Sequence, residues 1–373
     1  MYSKAKSFVL MLIICGLIAT AGGCAGSMVG FEDSQLEKAV CEAAGVKKGP
    51  MVREKLVALE TLDAANRDIR SLTGLEQATG LKELNLSGNK ISDISPLRKL
   101  YGLRRLELGE NLIIEIAPLK KLNNLQFLDL YQNNVQDIEV LTSLSGLEVL
   151  FLDGNPIKDL SPLAELAALQ YLSLESMQLD NIKALSGLAE LRFLSLIDNR
   201  IEDLTPLSKM RRLNTLLLGA NYICSVAPLK DLTQLSRLTL NNNQIKDITP
   251  LNKLTMLEML YLDDNEISDL APLKNLTNLK EVGLNGNQIV KIEPLSGLKG
   301  LERLDLGNNR ILDLTPLSSL TSLKSLYLMH NHFKDLSPLR ELTQLDELLL
   351  GGINLEDSKV IAKLEKAGVD VSW

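Results

Sequence analysis

Apolar positions along this chain return every 22 residues, a period too long for a single helix or strand and typical of a stacked repeat. Residues 81–102, LKELNLSGNKISDISPLRKLYG, show the unit. Thirteen copies run through 59–344 without an insertion, each opened by leucine, and a fourteenth, partial copy opens at Leu345. Within a copy, the LxL alternation predicts one short strand with its leucines turned inward. An asparagine at the ninth position, as at Asn89, Asn111 and Asn133, predicts a turn whose unpaired backbone groups the side-chain amide satisfies. A PLxxL segment follows, as at Pro96 and Pro118, and proline suits a return segment that needs no ladder hydrogen bond.

One such coil cannot bury its own leucines, so coils must stack in parallel around a shared core. The predicted fold is an α/β solenoid, a right-handed curved coil with a parallel β-sheet on its concave face, about 60 Å long at the usual strand spacing of about 4.8 Å. Both ends need lids. Over 31–58, Ser34 to Glu37 read as a capping box opening an amphipathic helix that carries Leu36, Val40 and Ala44 and ends at Gly45, with a second short helix after Pro50. Over 345–373, the partial repeat is followed by a helical stripe of Val360, Ile361, Leu364 and Ala367, and then by a strand with Val369 and Val371 turned inward. Three positions break the repeat: Met177 replaces a ladder asparagine, and Val140 and Ala184 replace prolines.

Residues 1–23 lie outside this pattern. Lys4 and Lys6 precede an apolar run over 8–19, too short to span a bilayer as a helix, and small residues then lead to Cys24. This resembles a bacterial lipoprotein signal, and the resemblance implies lipidation of Cys24, a short tether over 24–30 and an array held on the non-cytoplasmic side of a membrane. Ala19-Thr20-Ala21 would also serve an ordinary signal peptidase cleaving after Ala21. The repeats themselves resemble the leucine-rich repeat family, specifically the 22-residue bacterial class typified by internalins, over 31–373. That resemblance implies protein recognition on the concave face. The segment after the repeats does not match the immunoglobulin-like domain or sorting signal of cell-wall-anchored internalins, so it does not extend to adhesion.

Composition narrows the function. Forty basic against 47 acidic residues give −7, which argues against a nucleic-acid binder. Beyond Cys24 only Cys41 and Cys224 remain, too few for a disulfide framework. The third, fifth, seventh and eighth positions of each copy lie on or beside the strand, facing away from the core, and carry thirteen acidic residues against Arg105, Arg237 and Arg303. Such a face favours a protein partner with a basic surface. In copies four to eight the same positions hold Phe127, Tyr131, Phe151, Tyr171 and Phe193, with Ile197 and Leu217 beside them. We expect these side chains to be exposed and to form the binding patch, with Asp129, Asp153, Glu175 and Asp198 steering the partner.

Catalytic chemistry finds no constellation. His330 and His332 are the only histidines, and neither they nor Asp263, Asp264 and Glu266 show a complete metal-ligand spacing. We expect no cofactor and no metal. The sequence reading is an exported, lipid-anchored envelope protein that binds a protein on its concave face. Its rivals are an intracellular scaffold, like the phosphatase regulatory subunit that shares this repeat class, and a structural envelope protein.

Overall fold

The computed structural model describes residues 27–47, 49–352 and 358–372, and in them each 22-residue unit forms one coil of a solenoid. The expected signal segment and Cys24 lie outside the described residues. We number the coils from 1, opening at Leu59, to 14, opening at Leu345. Each contributes a three-residue strand from its third to fifth positions, from β1 (Thr61–Asp63) in coil 1 to β14 (Glu347–Leu349) in coil 14. A last strand, β15 (Asp370–Ser372), follows the array, and the strands form one parallel 15-stranded sheet in chain order. The register never slips: Thr61 faces Glu83, and Glu83 faces Arg105.

The core follows from seven apolar positions per coil. In coil 2 these are Leu81, Leu84, Leu86, Ile91, Ile94, Leu97 and Leu100, none more than 1% exposed. Each such burial stabilises by about 1.5–3 kcal/mol, but only when neighbouring coils cover both sides. On the convex side the return segments are short 3-10 turns, such as Ser95–Lys99, with proline near their start. The three-residue step from Leu97 to Leu100 matches the three residues per turn of that helix. Glu139–Ser143 and Lys183–Gly187 keep the same turn with Val140 and Ala184 where proline is expected. The sequence break at those two positions therefore leaves the coil path intact.

The ladder asparagines tie each coil to the one before. Asn111 Nδ2 donates to the carbonyls of Leu86 (2.9 Å), Leu108 (3.1 Å) and Gly109 (3.1 Å), while its Oδ1 accepts the N–H of Ile91 at 3.0 Å. Two of those four bonds reach back into the preceding coil. The eighth residue of every coil has a left-handed backbone: Gly88, Gly154 and Gly286 supply it easily, and Glu110, Gln132 and Ala220 adopt it at φ between 51° and 55°.

The ends are sealed mostly as expected, with two corrections. Helix α1 (Ser34–Ala43) is capped by Asp33 and not by Ser34. The Asp33 carboxylate accepts the N–H groups of Gln35 (2.8 Å) and Leu36 (3.2 Å) and, through its second oxygen, that of Arg70 in coil 1 (2.8 Å). It fastens the cap as well as the helix, which Ser34 could not reach to do. Helix α2 (Arg53–Val57) lies after Pro50, and Leu36, Val40, Met51 and Leu56 close that end of the core. At the other end α3 (Ser358–Lys366) buries Val360, Ile361 and Leu364, whereas Ala367 lies past its end and is exposed.

Candidate functional site

Strand register brings the sequence-predicted aromatic residues together as one row on the concave face. Phe127, Val149, Tyr171 and Phe193 occupy the third position of coils 4 to 7 and pair side by side. Phe151, at the fifth position of coil 5, leans on Phe127 with ring centroids 5.7 Å apart, and Tyr171 stacks on Phe193 at 6.1 Å. Three strand spacings make the row about 14 Å long. Arg105 of coil 3 closes one end, its guanidinium 3.5 Å from the Phe127 ring centre. At the other end opens a recess of about 520 Å3 lined by Tyr171, Arg192, Phe193, Arg212, Asn214, Thr215 and Gln234.

Exposure is lower than expected. Only Tyr171 is exposed, at 43%, while Phe127, Phe151, Phe193, Ile197 and Leu217 are half-buried because each ring or branch rests on the strand beside it. Tyr131 does not join the row: it sits at the seventh position, covers Gly109 so closely that a Cβ there would collide with its ring, and bonds Glu110 through its hydroxyl. Tyr327, another concave aromatic, is only 7% exposed, held between Arg303 and Glu347.

The four expected steering carboxylates have other attachments. Asp153 accepts the Ser173 hydroxyl and the N–H of Glu175 (2.7 Å), and Glu175 in turn accepts the Ser195 hydroxyl. Serines 173 and 195 are buried, and sequence reasoning passed over them although they stand at the same position of adjacent copies. Asp198 occupies a left-handed site at φ 56° and accepts the Ser176 hydroxyl at 2.8 Å. Asp129 is a perturbed carboxylate. Burial, and then the carboxylates of Glu107 and Asp153, push its pKa up to about 7, so near neutrality it is about half protonated. Asp263 and Asp305 are also raised, first by burial. The formal count of concave charge therefore overstates the field.

The break at coil 6 is visible on the side of the solenoid. Two recesses, of about 960 and 410 Å3, share Asp180, Asn181 and Arg200, and the smaller one includes Met177 and Ile157. Among the described residues no helix is long and apolar enough to cross a membrane. Among them, too, no three His, Cys, Asp or Glu side chains are placed to hold a metal ion, and His330 and His332 form no such group.

Comparison with known proteins places these features in a class. A family model for paired leucine-rich repeats matches residues 57–99, 233–275 and 277–319. The crystal structure of an internalin, inlF from Listeria monocytogenes, is 32% identical, with a TM-score of 0.76 over 92% of this chain and 95% of that one. The functional domain of InlJ from the same organism shares the fold at 22% identity, with a TM-score of 0.75 over 91% of this chain and 79% of its own. A leucine-rich repeat protein of Leptospira interrogans does so at 23% identity, with a TM-score of 0.63 over 86% and 97% of the two chains. No curated protein matches the sequence.

Proposed function

The chain belongs to the internalin family of leucine-rich repeat proteins, and from that premise we propose that it is an exported, lipid-anchored envelope protein that holds a protein partner on its concave face. Leucine-rich repeat arrays as a class present extended concave surfaces to other proteins. The observation that carries the reading is the aromatic row of coils 4 to 7, which no other part of the described chain covers. A partner strand or loop laid along the row gains the apolar contact that anchors interfaces, and the carboxylates at the fifth and seventh positions favour a partner with basic residues on one flank. Because those carboxylates already hold serine hydroxyls and backbone amides, they are pre-set in direction and give selectivity more than affinity. Export and the anchor at Cys24 rest on the sequence of residues 1–24 and are part of the proposal.

The test is cross-linking on intact cells of the native host, comparing wild type with Phe151→Ala/Phe193→Ala. The double variant should lose its cross-linked partner while still unfolding in a single cooperative thermal transition, at a melting temperature lowered only by the loss of two half-buried rings. A partner retained at full yield would move the site elsewhere. The mass of the N-terminal peptide decides the anchor independently: acylated Cys24 supports it, and an unmodified Met1 or cleavage after Ala21 removes it.

A further inference from the structure

Positive charge in this acidic chain gathers on the convex side of coils 2 and 3. Residues 81–124 hold eight basic and five acidic side chains, a net of +3 within a chain of −7. Four of the eight stand together. Arg98 and Lys99 end the turn Ser95–Lys99, and Lys120 and Lys121 end the turn Ala117–Lys121, which packs directly against it. All four are exposed, and among the described residues none of them enters an ion pair. Some lysines elsewhere on the array are matched across coils, as Lys90 is with Asp68 at 2.7 Å and Lys280 with Glu258 at 2.9 Å, while others, such as Lys230 and Lys253, have no ion pair among the described residues. Coils 2 and 3 differ in setting four such cations on two adjoining turns. Of the carboxylates on the adjoining segments, Asp93 accepts the N–H and hydroxyl of Ser95 and Glu76 accepts the N–H of Gly74, while Glu115, Asp137 and Glu139 line a recess with Lys120 without forming an ion pair to it. Tyr101, two residues beyond Lys99, is 50% exposed, with its carbonyl fixed by Asn124 at 2.8 Å.

We propose that this convex patch, Arg98, Lys99, Lys120 and Lys121 with Tyr101 beside them, docks the array on an anionic lipid surface. Unpaired cations held on rigid turns meet headgroup phosphates without losing an internal partner, and a tyrosine ring is suited to the headgroup level. Position favours a membrane over an acidic protein. Ser27, the first described residue, is fixed to the N-terminal cap, its carbonyl accepting the N–H of Arg53 in α2 at 3.0 Å. Residues 27–30 are held on the cap, with Val29 buried and its N–H bonded to Met51, so only three residues separate them from the bilayer side, roughly 10 Å at most, which keeps coils 2 and 3 near any bilayer that holds Cys24. Docked this way, the array turns its convex side down and its concave aromatic row outward. The proposal relies on the anchored reading for that bilayer, and it makes no use of the concave site.

Vesicle co-sedimentation of the full chain tests it, with phosphatidylcholine alone against phosphatidylcholine mixed with phosphatidylglycerol. Every variant carries the same N-terminal segment, so the ratio between the two lipids reports the patch. At roughly fivefold per basic side chain near an anionic surface, the wild type should bind the mixed vesicles up to several hundredfold more tightly at low salt. Replacing the four residues together by Glu should abolish that ratio at an unchanged melting temperature, and Tyr101→Ala should weaken binding to the mixed vesicles severalfold. Should the charge reversal fail to fold, replacement of the four by Gln serves the same purpose. Equal binding of the wild type to both vesicles, the result expected if the patch meets an acidic protein instead, overturns the proposal. So does a ratio that survives in the folded variant. Either failure leaves the cross-linking test of the concave face untouched.

Discussion

Met177→Asn is the sharpest perturbation that the repeat offers, because every bond the new side chain would make is already drawn in the neighbouring coils. In coil 5, Asn155 Oδ1 accepts the N–H of Val135 at 2.9 Å, and in coil 7 Asn199 does the same for Leu179 at 2.9 Å. In coil 6 Met177 has no such oxygen, so the N–H of Ile157, a residue 1% exposed, has no protein acceptor. The neighbour compensates in part: Asn199 Oδ1 also takes the N–H of Met177, at 3.2 Å. That rearrangement leaves Gln178 left-handed at φ 59°, and coil 1 shows the same device, with Arg67 bonded to Asn89 and Asp68 at the same φ. An asparagine at 177 would pair the Ile157 amide, worth about 1–3 kcal/mol, and release Gln178 from a conformation costing about 1–2 kcal/mol. The change gives up the burial of a methionine, about 1.5–3 kcal/mol, and the adjacent recess is roomy enough for water to offset part of the amide's need. The balance is a stabilisation of about 1 kcal/mol, or roughly 1–2 °C in melting temperature for a chain of this length. Hydrogen exchange gives the local readout. The Ile157 amide should exchange much faster than those of Val135 and Leu179 in wild type and match them in the variant. Equal protection of all three in wild type, or a lower melting temperature for the variant, would refute the reasoning.

The remaining predictions concern backbone and charge. Ala220→Gly should raise the unfolding free energy by about 0.5–1 kcal/mol, since relief of the left-handed φ of 55° outweighs the entropy lost with glycine; a loss of stability would show that packing of the Ala220 methyl outweighs the strain. Asp129, with a folded pKa near 7, binds its proton more tightly folded than unfolded, so it erodes stability as pH rises from about 4 to 7. Asp129→Asn should therefore be more stable than wild type at pH 8, by at most about 4 kcal/mol, with the difference vanishing near pH 4. A pH-independent difference between the two melting curves would contradict that assignment. The exposed turn aspartates act oppositely. Asp203 and Asp247 are lowered by hydrogen bonds from Thr205 and Thr249, so their contribution is present above the unfolded pKa near 4 and is lost as pH falls through the folded value. Replacing both by Asn should flatten the acid limb of the stability profile, and an unaltered limb would count against those caps.

Most of the fold was legible because one set of positions is spent entirely on burial. Leu81, Leu84 and Leu86 can only be a strand facing a core, and Asn89 after them can only be a turn whose amide looks inward. The eighth position was harder to read. Glu110, Asp198 and Asp264 look like surface acids, but the backbone there is left-handed in every coil, and the scatter of Gly, Asn and Asp across the copies was the available sign. The aromatic row was legible in its membership, since a fixed period puts equivalent residues side by side. Its degree of exposure was not, because pairings such as Phe127 with Phe151 and Tyr131 with Gly109 depend on side-chain direction across strands. Nor could the sequence tell that Asp153 and Glu175 are already engaged by buried serines. The convex cations at 98, 99, 120 and 121 were passed over in the sequence, because the stacking of their two turns and their lack of partners are reported only by a structure.

Each ladder amide rivets two successive coils, so the array resists separation as a row of fasteners does, and a crack must start where a rivet is missing. Inside the array that place is the seam between coils 5 and 6, where Met177 leaves the Leu152 carbonyl with one side-chain donor, Asn155, in place of two. The aromatic row straddles the same seam, with Phe127, Val149 and Phe151 on one side and Tyr171 and Phe193 on the other. A molecule lying along the row acts as a splint across the joint. Tension between the two ends of the solenoid would open that joint first, shedding the occupant as it parts, so the hold on a partner weakens under load well before the coils themselves unwind.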